Sequence, residues 1–244
     1  MMRLEEISPD QVIFWQHGGV SLNATLVYTW AVMALLVLIS WLATRRLTSD
    51  GHISSWQNFL EIIVGNIREQ IREISREDPA AYTPLIGTLF LFIAFSNLLG
   101  AVPWFVSPTA SLSTTAALAI CVFVAVPVYG IKSRGILGYL KQYVEPTVVM
   151  LPFHVMGELS RTLALAVRLF GNMMSGAKII AILLALAPLI FPVMMHVLGL
   201  LTGLIQAYIF AVLAMVYIAS ATRAHQEKEQ VLQEKQTKKG EEDG

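Results

Sequence analysis

The chain has 244 residues, of which 55% are hydrophobic and 14% charged; its formal net charge is zero and its mean hydropathy +0.62. These values exclude an ordinary water-soluble domain and define membrane composition. A single cysteine, Cys121 in an apolar run, excludes a disulfide framework and a cysteine-based metal site.

Residues 1–25 are expected as an outer-side N-terminal segment, mildly acidic at Glu5, Glu6 and Asp10 and without the basic region of a cleaved leader. The membrane domain is expected over 26–222. Its first span is 26–44, retained and stopped by Arg45 and Arg46. Over 53–76, Trp56, Phe59, Leu60, Ile63, Ile67, Ile71 and Ile74 share one helical stripe, opposite Arg68, Glu69, Arg72 and Glu73. That pattern fits an amphipathic helix at the cytoplasmic interface, and equally a helix packed on protein. Further spans are read at 84–105 and at 114–131, the latter closed by Lys132 and Arg134. The last two, 146–187 and 189–222, meet at the helix-breaking Pro188 and Pro192. The first of these would reach about 60 Å as one helix, twice the hydrocarbon thickness. Either it breaks after an entry segment at Pro146–Gly157, or it is strongly tilted. A mixed-charge tail fills 223–244.

Five crossings put the basic residues at 45, 46, 68, 72, 76, 132, 134, 141 and from 223 onward on one side. By the positive-inside rule the N-terminus is outside and the C-terminus cytoplasmic. The fold class is therefore an all-α polytopic membrane protein, with about five membrane segments, one interfacial helix and two long final helices.

Chemistry concentrates in the last pair. Glu158, Arg161, Arg168, Asn172 and Ser175 follow at helical spacing and form one polar stripe on a helix otherwise made of Leu, Ala, Ile and Met. Glu158 and Arg161, at i and i+3, can neutralise each other, as a structural pair or on an ion path. Arg168 has no acid in reach on its own helix, and spans one to three carry none. A guanidinium keeps its charge at any biological pH, and at a bilayer centre it costs from about 3 to more than 10 kcal/mol. Its counter-charge must come from water or from a carboxylate on another chain. In the final helix Gly199, Gly203 and Gln206 fall at i, i+4 and i+7, so a small-residue groove leads to an amide. The groove could admit the preceding helix or leave room for water. Lys178 fits a snorkelling cation and His196 an interfacial histidine, or both line an ion path. His154 and Glu158 lack a third ligand at sensible spacing, so no metal site is expected, and no cofactor.

These residues resemble the a subunit of F-type ATP synthases. The likeness rests on Arg168–Asn172 (RLFGN) followed by Gly176, and on Gln206–Phe210 (QAYIF) with Tyr217. It also rests on Asn97–Gly100 (NLLG) with Pro103, and on Pro108–Ala110 (PTA). It runs from about residue 20 to 222. The resemblance implies a stator subunit beside a rotating ring of c subunits, each with a buried carboxylate opposite Arg168. Two ion half-channels, one from each side, would serve that carboxylate and couple proton transport, with sodium the other candidate, to ATP synthesis or hydrolysis. Arg168 matches the family's essential arginine, Gln206 the glutamine facing it, and Asn172 a polar partner in the channel region. Partners implied are the c ring, b-type peripheral stalk subunits, the other ATP synthase subunits and the lipid bilayer of a bacterial inner membrane, with no nucleic acid. The ATP chemistry would belong to other subunits, so this chain is not itself an enzyme.

The chain departs from the family pattern at three places. An acidic residue often follows the glycine matching Gly176; here Ala177 and Lys178 stand there. Gly199 occupies a position often held by His, and Ser111 one often held by Asp. The half-channels would then be lined by Glu158, Arg161, Ser175, Lys178, His196 and Ser111. The competing class is a stand-alone channel or secondary transporter, which should show internal repeats. A multi-pass enzyme would need a nucleophile–base pair or a metal set near one interface. The chain shows no repeat and offers neither set.

Overall fold

The computed structural model describes residues 13–17, 20–45, 55–75, 78–102, 105–144, 150–186 and 191–223. The expected charged tail beyond 223, the Pro188 break, and Pro103 and Pro146 lie outside them, as do the side chains of Trp56, Phe59 and Leu60.

A short antiparallel hairpin, β1 (Ile13–His17) and β2 (Val20–Asn23), opens the described chain, with His17 opposite Val20. The sequence pattern predicts no strand there, because two strands this short carry too few alternations to register. Among the described residues, six α-helices follow: α1 (Ala24–Thr44), α2 (Ser55–Ser75), α3 (Thr83–Leu99), α4 (Leu112–Val144), α5 (Met150–Leu186) and α6 (Phe191–Arg223). Single 3-10 turns sit at Pro79–Ala81 and Pro108–Ala110.

Four helices are long and apolar enough to cross a membrane, within α1, α4, α5 and α6; α3, at 17 residues, is shorter. At 1.5 Å per residue α3 covers about 25 Å, a few ångströms less than a hydrocarbon core. Its end at Leu99, earlier than the expected Phe105, has a local cause. At Gly100 a side chain would begin 3.1 Å from the Asn97 carbonyl and 3.5 Å from Ser107 Cβ. The bare glycine thus lets the following loop fold back, and Pro108, Thr109, Ala110 and Ser111 are all buried. Their turn touches α1, α3, α4 and α5. A loop this buried must find partners for its polar groups inside the protein.

The core is built around α3 and α6. Ile86, Leu89, Phe92 and Ile93 of α3 and Ala207, Phe210, Ala214, Met215 and Ile218 of α6 are buried in one cluster with Val122 and Val126 of α4 and Leu165 and Leu169 of α5. By contrast α1 buries only Ala24, Thr25 and Val32, and exposes Trp30, Val37 and Trp41. An apolar helix so little covered by its own chain is solvated by lipid or protein.

The amphipathic α2 is not free. Its Ile71 is fully buried against the core, and Tyr208 of α6 donates to Gln70 Oε1 at 2.7 Å. Arg68, Glu69, Arg72 and Glu73 face outward, as the stripe predicts. Between α2, α3 and α6 runs an almost wholly apolar groove of about 440 Å³.

Helix α4 outlasts the expected span at 131. It consists of two helices meeting at Gly135, whose φ of +75° and ψ of 165° only glycine adopts readily. The break falls beside Lys132 and Arg134, the charges that end the apolar run. Helix α5 is unbroken over 37 residues and α6 over 33. These lengths correspond to about 55 and 50 Å, so both must tilt or protrude in a 30 Å hydrocarbon layer.

Candidate functional site

Helix α5 forms because its sequence is rich in Leu, Ala and Met, and two of its turns bury Leu165, Ala166 and Leu169 against the bundle. The opposite side of the same turns carries Leu163, Ala164, Val167, Arg168, Gly171 and Ser175, all exposed. Arg168 is therefore held on an outer face by the packing of its neighbours, at about mid-helix. Among the described residues none hydrogen-bonds to it or pairs with it. Asn172, one turn on, is half-buried, and its carbonyl accepts from Ser175 Oγ at 3.2 Å. Lys178 and His196 are also exposed.

Gln206 is placed differently. It is only 5% exposed, set in the core of α6, and its Nε2 has no hydrogen-bond partner among the described residues. No bond joins it to Arg168. The two side chains expected to face each other thus sit on adjoining helices, one outward and one inward.

One turn from Gln206, the groove on α6 is filled, though not by α5. Asn97 of α3 enters it: Asn97 Nδ2 donates to the Gly203 carbonyl at 2.8 Å. Thr109 Oγ1 donates to Asn97 Oδ1 at 3.2 Å, and Ser107 Oγ lies 2.7 Å from Thr109 Oγ1. A side chain at Gly203 would begin 3.0 Å from Asn97 Cγ and Nδ2. At Gly199 nothing described lies within 4 Å of that position, so close packing belongs to Gly203 and not to the pair. Ser111, fully buried, bonds Ser113 Oγ at 2.6 Å rather than standing open in the loop.

A second polar feature lies toward the other end of α5. A cleft of about 170 Å³ opens between α4, α5 and α6, lined among others by His154, Glu158, Arg161, Thr162, Tyr217 and Ser220. Spacing alone pairs Arg161 with Glu158; the structure gives Arg161 an aromatic partner on α6, with its guanidinium carbon 5.8 Å from the Tyr217 ring centroid. Arg161 stands two turns, about 10 Å, from Arg168 along the helix axis.

Sequence reasoning from the residues alone missed the Ser107–Thr109–Asn97 network and the Tyr217 contact. A carboxamide inside an apolar span was the available signal for Asn97. Nothing local announces that a neutral outer loop folds inward.

Taken together, these features define a multi-pass membrane protein with an exposed arginine at the middle of a long helix, unpaired among the described residues, and a buried amide on the next. The chain belongs to the ATP synthase A chain family, whose sequence model matches residues 26–219. It is 60% identical to ATP synthase subunit a of Albidiferax ferrireducens over 91% of this chain and 96% of that protein. Identity to ATP synthase subunit a 2 of Acaryochloris marina is also 60%, over 90% of this chain and 94% of the relative. For ATP synthase subunit a 1 of Chlorobaculum parvum it is 59%, over 90% and 97%.

Proposed function

We propose that this chain is the stator subunit of a rotary ATP synthase membrane sector, in which Arg168 meets the buried carboxylates of a rotating c ring. The observation that carries this reading is the guanidinium itself: exposed at mid-helix, with small residues on its face, and without a partner among the described residues. In a bilayer such a charge is stable only beside an anion or water. Ala164, Gly171 and Ser175 on the same face let another helix approach closely.

An ion-loaded carboxylate arriving at Arg168 releases its ion to one half-channel, passes the arginine as an anion, and reloads from the other. The unit pair at about 4 Å attracts by roughly 4 kcal/mol at an effective dielectric of 20, before desolvation. A potential of 100 mV supplies about 2.3 kcal/mol per ion. The two are comparable, so the pair must stay partly hydrated or exchange with Gln206 for the ring to keep turning. The fixed positive charge also bars a cation from slipping directly between the half-channels. The polar cleft at Glu158 and Arg161 suits the cytoplasmic half-channel, given an N-terminus outside and a C-terminus inside a bacterial inner membrane. Ser111, Ser175, Lys178 and His196 are the remaining candidates for the lining, and Asn172 and Gln206 for ion transfer. The c ring, b-type stalk and other synthase subunits are the partners, and the ATP chemistry belongs to the soluble sector among the latter.

In Arg168→Ala membranes, ion-driven ATP synthesis should vanish while uncoupled ATP hydrolysis survives. Arg168→Lys should fail as well, since an ammonium lacks the planar fork and can lose its proton. Full synthesis in Arg168→Ala membranes overturns the proposal. Sodium dependence of the ATPase at fixed pH separates a sodium-coupled from a proton-coupled complex. A stand-alone channel or transporter would instead conduct ions in liposomes without c subunits.

A further inference from the structure

We propose that Asn97 is a positioning residue for the ion path at Gln206, acting through the bare backbone of Gly203. This rests on the stator reading above. Four observations carry it. The Asn97 carboxamide occupies the space where any side chain at 203 would begin, 3.0 Å from its Cγ and Nδ2. Its Nδ2 donates to the Gly203 carbonyl, which fixes α3 against α6 at that turn. Gly203 and Gln206 stand at i and i+3, so the contact fixes the turn that carries Gln206, whose buried Nε2 has no partner among the described residues. The other end of the carboxamide accepts from Thr109, which in turn meets Ser107, so the outer loop is tied to the same point.

The result is one chain of neutral dipoles from the loop to the turn of Gln206. Asn97 is 6% exposed and Thr109 fully buried. In such surroundings a hydrogen bond fixes orientation strongly, because the groups have no water to exchange with.

The test uses the whole complex in proteoliposomes, with ATP synthesis titrated against the driving ion on the side of the 105–111 loop. Protons are varied first, then sodium at fixed pH. Gly203→Ala and Asn97→Ser should each raise the half-saturating ion concentration about fivefold, the worth of one buried hydrogen bond, with the maximal rate nearly kept. The double variant should be no worse than either alone, because both act through one contact; independent sites would multiply to about 25-fold. Thr109→Val, a gentler change, should shift the same value about twofold in the same direction, and it decides the matter if Gly203→Ala does not assemble. Unchanged half-saturation, or loss confined to maximal rate and complex yield, overturns the proposal and leaves Asn97 a packing residue. If Arg168→Ala abolishes synthesis while these variants leave half-saturation unmoved, this inference alone fails. Should Arg168→Ala keep full synthesis, the stator reading fails with it.

Discussion

Arg168 stays unpaired because α5 supplies no acid within reach and its neighbouring turns, anchored by Leu165 and Leu169, point it away from the bundle. Arg161 shows the contrasting solution on the same helix. Its charge lies over the Tyr217 ring at 5.8 Å, on the wall of a polar cleft. A cation over an aromatic face is worth about 0.5–1 kcal/mol at an exposed site. Tyr217→Leu should therefore lower the thermal stability of the purified complex by roughly that amount, while Tyr217→Phe, which keeps the ring, should not. Equal melting for both variants would show that the ring contributes nothing to holding Arg161. The arginines were both legible in the sequence as ionisable residues in an apolar run. Their different fates were not, since Tyr217 lies 56 positions from Arg161 and only the packing of α6 on α5 brings them together.

Among the elements, helix type and order follow from hydropathy and period, and boundaries depend on backbone detail. The end of α3 at Leu99 falls where the loop returns over Gly100, with Ser107 Cβ 3.5 Å from where a side chain there would begin, a proximity that apolar character at 101–105 conceals. The break in α4 is set by Gly135, whereas composition placed the end of that span by its charges a few residues earlier. A side chain there would meet open space, so any penalty comes from the backbone alone. Gly135→Ala should cost about 1–3 kcal/mol of stability, or straighten α4 into one helix. Melting of the complex and helix content by circular dichroism separate these two results; a variant unchanged in both would mean that the bend is not fixed by this glycine. The amphipathic stripe of α2 announced a buried face, and Ile71 shows where it goes. The Gln70–Tyr208 bond and the apolar groove they share identify α6 as its neighbour.

On the scale of the whole molecule, α5 packs beside α6, which is itself paired with α3 in the core, and its outer face around Leu163, Val167 and Gly171 is apolar apart from Arg168. On the proposed stator reading, that face is covered by a second protein. The sequence made the deficit visible, because a permanent charge without an acid can be counted along a chain. It could not show that Gln206 lies inward while Arg168 lies outward, since a helix pattern fixes spacing and not which groove another helix fills. Cysteine cross-linking tests the central claim most directly. With Cys121→Ser removing the exposed native thiol, Ala164→Cys places a thiol one turn from Arg168 on its face. Mild oxidation of membranes carrying a rotor cysteine beside its buried carboxylate should join the two chains in a disulfide. A thiol at 164 that stays free in the assembled complex, with no adduct to any small rotor subunit, would contradict the account.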